Sequence, residues 1–240
     1  MKLSKSTIIM LLFSVLIFQA CNENEKSEKQ ESGSKDLSID YEKYTLPNGL
    51  DVVLHQDKSD PIVAVAIQIH AGSNREKPGR TGFAHFFEHM LFQRSENVGE
   101  GAFFKNIADY GGTFNGGTGN DGTIYYEVVP KDALEKVLWM ESDRMGYFIN
   151  SVTKASLEGE KPVVKNEKRQ NYDNRAYGHN RYVINKAMYP PNHPYNWEVI
   201  GELEDLSNAT LEDVKEFYDK YYGPNNATLV LAGDFDKEEI

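Results

Sequence analysis

The segment Phe83-Ala-His-Phe-Phe-Glu-His-Met-Leu-Phe92 constrains this chain more than any other. In a helix of 3.6 residues per turn, His85, Glu88 and His89 share one face, because positions i, i+3 and i+4 stack. The other positions, Phe83, Ala84, Phe86, Phe87, Met90, Leu91 and Phe92, are apolar nearly all round, which marks a buried helix. Two imidazoles and a carboxylate in such a helix are costly unless each finds a partner. A metal ion is the most economical partner. Two neutral imidazoles plus a third ligand leave one open position, the usual arrangement of a catalytic zinc site.

The 240 residues suffice for one or two domains, and 40% hydrophobic with 12% aromatic residues suits a globular core. Acidic residues outnumber basic ones 37 to 26, for a net charge of -11. A nucleic-acid binder needs a basic footprint, so that class is excluded. Cys21 is the single cysteine, which rules out a disulfide framework within the chain. Residues 1–20 read as an export signal. Lys2 and Lys5 precede a run, 8–18, that is apolar except for Ser14. That run falls short of the roughly 20 residues that span a membrane. Ala20 directly before Cys21 resembles a bacterial lipoprotein signal, in which Cys21 is lipidated and becomes the mature N-terminus. Residues 21–38 are almost wholly polar and cannot bury enough surface to order themselves. They read as a tether. The expected location is the bacterial cell envelope, lipid-anchored at the periplasmic face or the cell surface.

The remainder, 39–240, mixes strand and helix signals. Asn48-Gly49 between two apolar runs predicts a hairpin. His55 ends it and reads as a surface or half-buried imidazole. Residues 61–71 alternate as a central strand, with Val63, Val65, Ile67 and Ile69 on a buried face and a second face expected to be closely covered. His70 reads as packed or hydrogen-bonded. Helices are expected over 102–109, from 132 to 148, through most of 153–187 with a start near Pro162, and over 211–222 with Thr210 or Asn208 as cap. Residues 227–232 read as a buried strand. The fold class is therefore α+β, a mainly antiparallel sheet with helices packed against one face.

Glu167 is the candidate third ligand, because it follows an apolar pair on a helix that should pack beside the first. Glu160 lies seven residues earlier and can share its face. Either carboxylate serves as ligand or as an orienting group behind one. Glu88 stands beside a ligand histidine, poised toward a metal-bound water whose pKa zinc lowers to roughly 7. A carboxylate there takes the proton and later delivers it to a leaving amine. The chemistry is amide hydrolysis, and the pattern His-x-x-Glu-His is the reversed zincin motif.

Further segments carry a resemblance. Leu46-Pro-Asn-Gly-Leu-Asp-Val-Val-Leu54, Ala71 to His85, Thr123-Ile-Tyr-Tyr126, Val164-Lys-Asn-Glu167, His193-Pro-Tyr195, Ile200-Gly201 and 222–234 follow in this order. Together they resemble the pitrilysin/insulinase zinc peptidases over about 40–240. The resemblance implies the pitrilysin-type N-terminal domain. It implies one zinc ion per chain on His85, His89 and Glu167, the last 78 positions after His89. It makes Glu88 the base and gives Glu160 an assisting catalytic role. Peptide substrate would add as a strand to an edge that here reads Asn115-Gly116-Gly117-Thr118, where the family has an Asn-Ala-x-Thr-like motif. Two glycines weaken strand preference there. The family also closes a second lobe, in the same chain or a partner chain, over the peptide. This chain is expected to be truncated before that lobe. Two readings stay open: a zinc-dependent endopeptidase acting on peptides or small unfolded proteins, or a zinc-binding but catalytically incomplete piece. Retention of all four site residues speaks against a non-peptidase member.

Overall fold

The computed structural model describes residues 38–238 and 240. The expected export signal, Cys21 and the tether up to residue 37 lie outside them. From Ile39 onward the chain forms one unit. Its strands are β1 (Glu42–Thr45), β2 (Asp51–Gln56), β3 (Ile62–Ile69), β4 (Thr113–Thr118), β5 (Thr123–Pro130) and β6 (Ala227–Gly233). Its helices are α1 (Phe83–Gln93), α2 (Ala102–Asp109), α3 (Leu134–Ser151), α4 (Lys154–Lys168), α5 (Asn180–Met188), α6 (Leu203–Ser207) and α7 (Leu211–Tyr221).

Gly49, at φ 92°, supplies the left-handed residue that turns β1 onto β2. The six strands order as β1-β2-β6-β3-β5-β4, and only the β2–β6 pair is parallel. Alternation in β3 buries Val63, Val65, Ile67 and Ile69 on one face, where α1 and α3 pack. The opposite face is not closely covered as expected: Ile62 is 46% exposed, and Ala64, Ala66 and Gln68 are half-buried. Stacking helices on one side of the sheet leaves the other side open. β6 accordingly buries only Ala227 and Leu231 fully, fewer than its apolar sequence suggests.

α1 is the helical centre of the core. Phe87 meets Phe148 of α3, Phe217 of α7 and Tyr222, with ring centroids 5.4, 5.3 and 4.9 Å away. α4 does not start near Pro162. Thr153 caps it in a box with Ser156, and the helix runs through Gly159 and Pro162 without a break. Most of 153–187 is helical, as expected, but not as one helix. A π-helical turn at Arg169–Asp173 and a loop with Tyr177 at φ 59° separate α4 from α5. Thr210, with Asp213, is the cap of α7. His55 Nδ1 lies 2.7 Å from the Asp40 carbonyl, and His70 Nε2 lies 3.1 Å from the Thr228 hydroxyl. Neither histidine is drawn toward the site.

Candidate metal centre

α1 has no capping side chain of its own. Its N-cap is Gly82, at φ 83°. Two distant carboxylates take that role. Glu76 accepts the N–H of Gly82 at 3.0 Å, the N–H of Ala84 at 2.9 Å and the indole N–H of Trp197 at 3.1 Å. Asp205 accepts the N–H and the hydroxyl of Thr81 at 2.9 and 2.6 Å. Carboxylates at a helix N-terminus satisfy its free donors and match its dipole. The 197–202 loop that leads into α6 sits so close that a Cβ on Gly201 would fall 2.4 Å from the Gly82 backbone. Glu76 comes from the loop just before α1, Asp205 from more than 100 residues later, and sequence reasoning missed both.

With α1 fixed, His85 and His89 turn toward α4. Their rings lie 4.7 Å apart at 78°. Glu167 Oε2 stands 3.6 Å from His85 Nε2 and 3.1 Å from His89 Nε2. Among the described residues, His85, His89 and Glu167 form the group that brings three metal-binding atoms within 4.8 Å of one another. Glu160, buried on the same face of α4, places Oε1 3.2 Å from His89 Nδ1. Glu160 thus lies behind a ligand histidine, on its far nitrogen. The sequence reading left that position open between ligand and orienting group.

The electrostatics fit a cation. Burial, helped by the neighbouring His89, pushes His85 down to about 4, so this imidazole stays neutral as a ligand must. Burial opposes charge on His89 too, but Glu160 and Glu167 outweigh it and hold its pKa at about 9. His89 lowers Glu167 in turn. Protein alone answers two carboxylates with a proton on His89. A divalent metal held by His85, His89 and Glu167 would supply that positive charge instead. Two Nε2 atoms and one carboxylate oxygen are a zinc donor set.

Glu88 points to the sheet. The Thr118 hydroxyl donates to its Oε2 at 2.6 Å, and burial raises the Glu88 carboxyl against that bond. A Cβ on Gly116 would fall 2.9 Å from Glu88 Oε1 and 2.8 Å from the Phe92 ring. Gly116 therefore gives Glu88 its room. Asn115 Oδ1 accepts the Gly116 N–H at 2.8 Å, and a Cβ on Gly117 would touch only Ile124. The stretch 115–118 lies on β4, the end strand of the sheet, beside the two histidines' helix. The bond from Thr118 to Glu88 had no sequence signal, because it depends on strand register.

Residues 51–190 match the family described as Insulinase (Peptidase family M16), and 208–240 match Peptidase M16 inactive domain. Zinc protease PqqE of Helicobacter pylori is 32% identical over 203 residues, which are 83% of this chain and 45% of that protein. Mitochondrial-processing peptidase subunit beta of Saccharomyces cerevisiae is 25% identical over 198 residues, 81% of this chain and 41% of its own. The crystal structure of a protease from Helicobacter pylori superposes with a TM-score of 0.78 at 32% identity, covering 84% of this chain and 48% of that one. The periplasmic protease PqqL from Escherichia coli shares the fold, with a TM-score of 0.76 at 24% identity over 85% of this chain and 23% of its own. The chain spans about half the length, or less, of the curated relatives it matches.

Proposed function

The chain belongs to the insulinase family, peptidase family M16, and from that premise we propose that it hydrolyses peptide bonds as a zinc metalloendopeptidase. Its substrates are peptides or small unfolded proteins. His85, His89 and Glu167 would hold one zinc ion, and their convergence within 4.8 Å is the observation that carries the reading. Bound there, zinc supplies Lewis-acid polarisation of the scissile carbonyl and lowers the pKa of water. Glu88 takes the proton from the attacking water and returns it to the leaving amine. Thr118 keeps Glu88 in one rotamer, through the 2.6 Å bond to Oε2. Glu160 orients His89 through Nδ1. The free edge of β4 at 115–118 takes the peptide backbone as an added strand.

A second lobe, in a longer chain or a partner chain, completes the cleft. The relatives' greater length supports this. The same fact favours the second reading, a zinc-binding domain that turns over nothing until that lobe is present. For location we propose the cell envelope, with a lipid on Cys21. A relative is named a periplasmic protease, and no helix among the described residues is long and apolar enough to cross a membrane.

The test uses the chain itself, with zinc content and cleavage of a fluorogenic peptide measured with and without chelator. One equivalent of zinc with chelator-sensitive cleavage is expected. Zinc without cleavage selects the second reading, and absence of zinc overturns both. Glu88→Gln should keep the metal and lower turnover by about 10²–10⁴-fold. Unchanged turnover would assign the base elsewhere.

A further inference from the structure

α5 is built inside out. Val183, Ile184, Ala187 and Met188 share one face of it, and that face is open. Val183, Ile184 and Met188 are 61, 58 and 71% exposed. Polar groups anchor the helix to the protein instead. Asn185 is buried, and Lys186 Nζ donates to Asn196 Oδ1 at 2.8 Å. Tyr177, in the loop before α5, is 85% exposed and holds the left-handed φ of 59°, uncommon for a bulky residue. Apolar side chains exposed singly need no explanation. Four large ones within 12 residues mark a surface that meets something other than water.

Charge narrows the choice of partner. The whole chain is acidic, with 37 Asp and Glu against 26 Lys and Arg. Yet residues 174–197 contain no Asp or Glu and hold Arg175, Arg181 and Lys186, all exposed. On the helical wheel Arg181 and Lys186 fall on opposite shoulders of the apolar stripe. From such shoulders, Lys and Arg lay their methylene stems along an apolar phase and keep their charges in the headgroup layer. An apolar stripe, cationic shoulders and flanking tyrosines compose a helix that lies in the plane of an anionic bilayer. With nine residues α5 is about 14 Å long, enough to lie in that interface and too short to cross it.

We propose that the 177–188 face docks on a bilayer that contains anionic phospholipid. Val183, Ile184 and Met188 enter the acyl boundary, and Arg175, Arg181 and Lys186 meet the headgroups. Neither the metal centre nor a lipid on Cys21 is needed for this contact. The test is co-sedimentation of the Ile39–Ile240 unit, which holds the whole described core, with vesicles of phosphatidylcholine alone or mixed with phosphatidylglycerol. Leaving out 1–38 keeps the apolar run 8–18 and any lipid on Cys21 from accounting for the binding. Binding to the anionic vesicles about tenfold tighter is expected at low salt, since each cation near an anionic surface contributes about fivefold and the acidic remainder of the chain opposes. Ile184→Gln combined with Met188→Gln, both at exposed positions, should weaken that binding at least about tenfold with an unchanged circular dichroism spectrum. Absence of binding by the unaltered unit overturns the proposal with no variant required. So does equal binding to the two kinds of vesicle, or equal binding by the double variant. A dimer in sedimentation velocity without vesicle binding would give the face to a second copy of the chain and overturn it as well.

Discussion

Glu160 acts on an atom of His89 that faces away from the metal position. In the proposed centre its carboxylate at Nδ1 would fix which ring nitrogen carries the proton and leave Nε2 to coordinate. Glu160→Gln should weaken zinc about 10–100-fold, measured by competition with a chromophoric chelator, while the circular dichroism spectrum is unchanged. Undiminished affinity would make Glu160 a packing residue. The sequence disclosed this centre unevenly. His85, Glu88 and His89 are legible because a single helical turn places them together. Glu167 became legible through its place on a second amphipathic helix and through the resemblance. Glu76, Asp205 and the Thr118 hydroxyl were not, since each reaches its partner across a loop or a strand pair whose register no local pattern encodes.

α4 teaches a lesson about elements. Proline favours a first helical turn, so Pro162 reads locally as a start, yet the capping box at Thr153 begins the helix earlier and Pro162 lies inside it. An interior proline removes one backbone hydrogen bond and costs about 3 kcal/mol in an isolated helix. Packing of α4 against α1 and α6 offsets that cost. The cap then matters more than in a helix with no interior breaker. Thr153→Ala should lower unfolding free energy by about 0.5–2 kcal/mol in a denaturant titration and leave zinc stoichiometry at one. A loss near zero would show that packing alone sets the start of α4. The strands were easier to read, because alternation in β3 and the Asn48-Gly49 turn are local signals. The open face of the sheet was not, since a run of alanine and valine looks the same whether covered or bare.

At the scale of the molecule, the core carries a buried charge cluster that no sequence pattern announced. Arg144 of α3 pairs with Glu141 and lies 3.3 Å from Glu127 of β5, all three almost wholly buried. The guanidinium stacks on Phe92, Phe103 and Tyr125, at 4.8, 4.4 and 4.7 Å. One arginine cannot balance two carboxylates there. Burial, with the charge of Glu141, pushes the Glu127 carboxyl far above its ordinary range. A carboxyl whose folded pKa is raised stabilises the fold fully below its unfolded pKa and loses that contribution as pH climbs toward the folded value. Wild-type stability relative to Glu127→Gln, which is neutral throughout, should therefore fall between about pH 5.5 and about pH 8.5 by more than about 1 kcal/mol. Parallel curves for the two proteins would mean that Glu127 is ionised in the fold.

The position of β6 has a consequence in time. β2 and β3 are neighbours in the chain but not in the sheet, because β6, more than 150 residues later, lies between them. A chain emerging from the ribosome exposes two edges rich in valine, leucine and isoleucine long before the strand that joins them is made. Folding of this unit is deferred to the end of its synthesis. Until then those edges are open to pairing with one another or with a neighbouring chain.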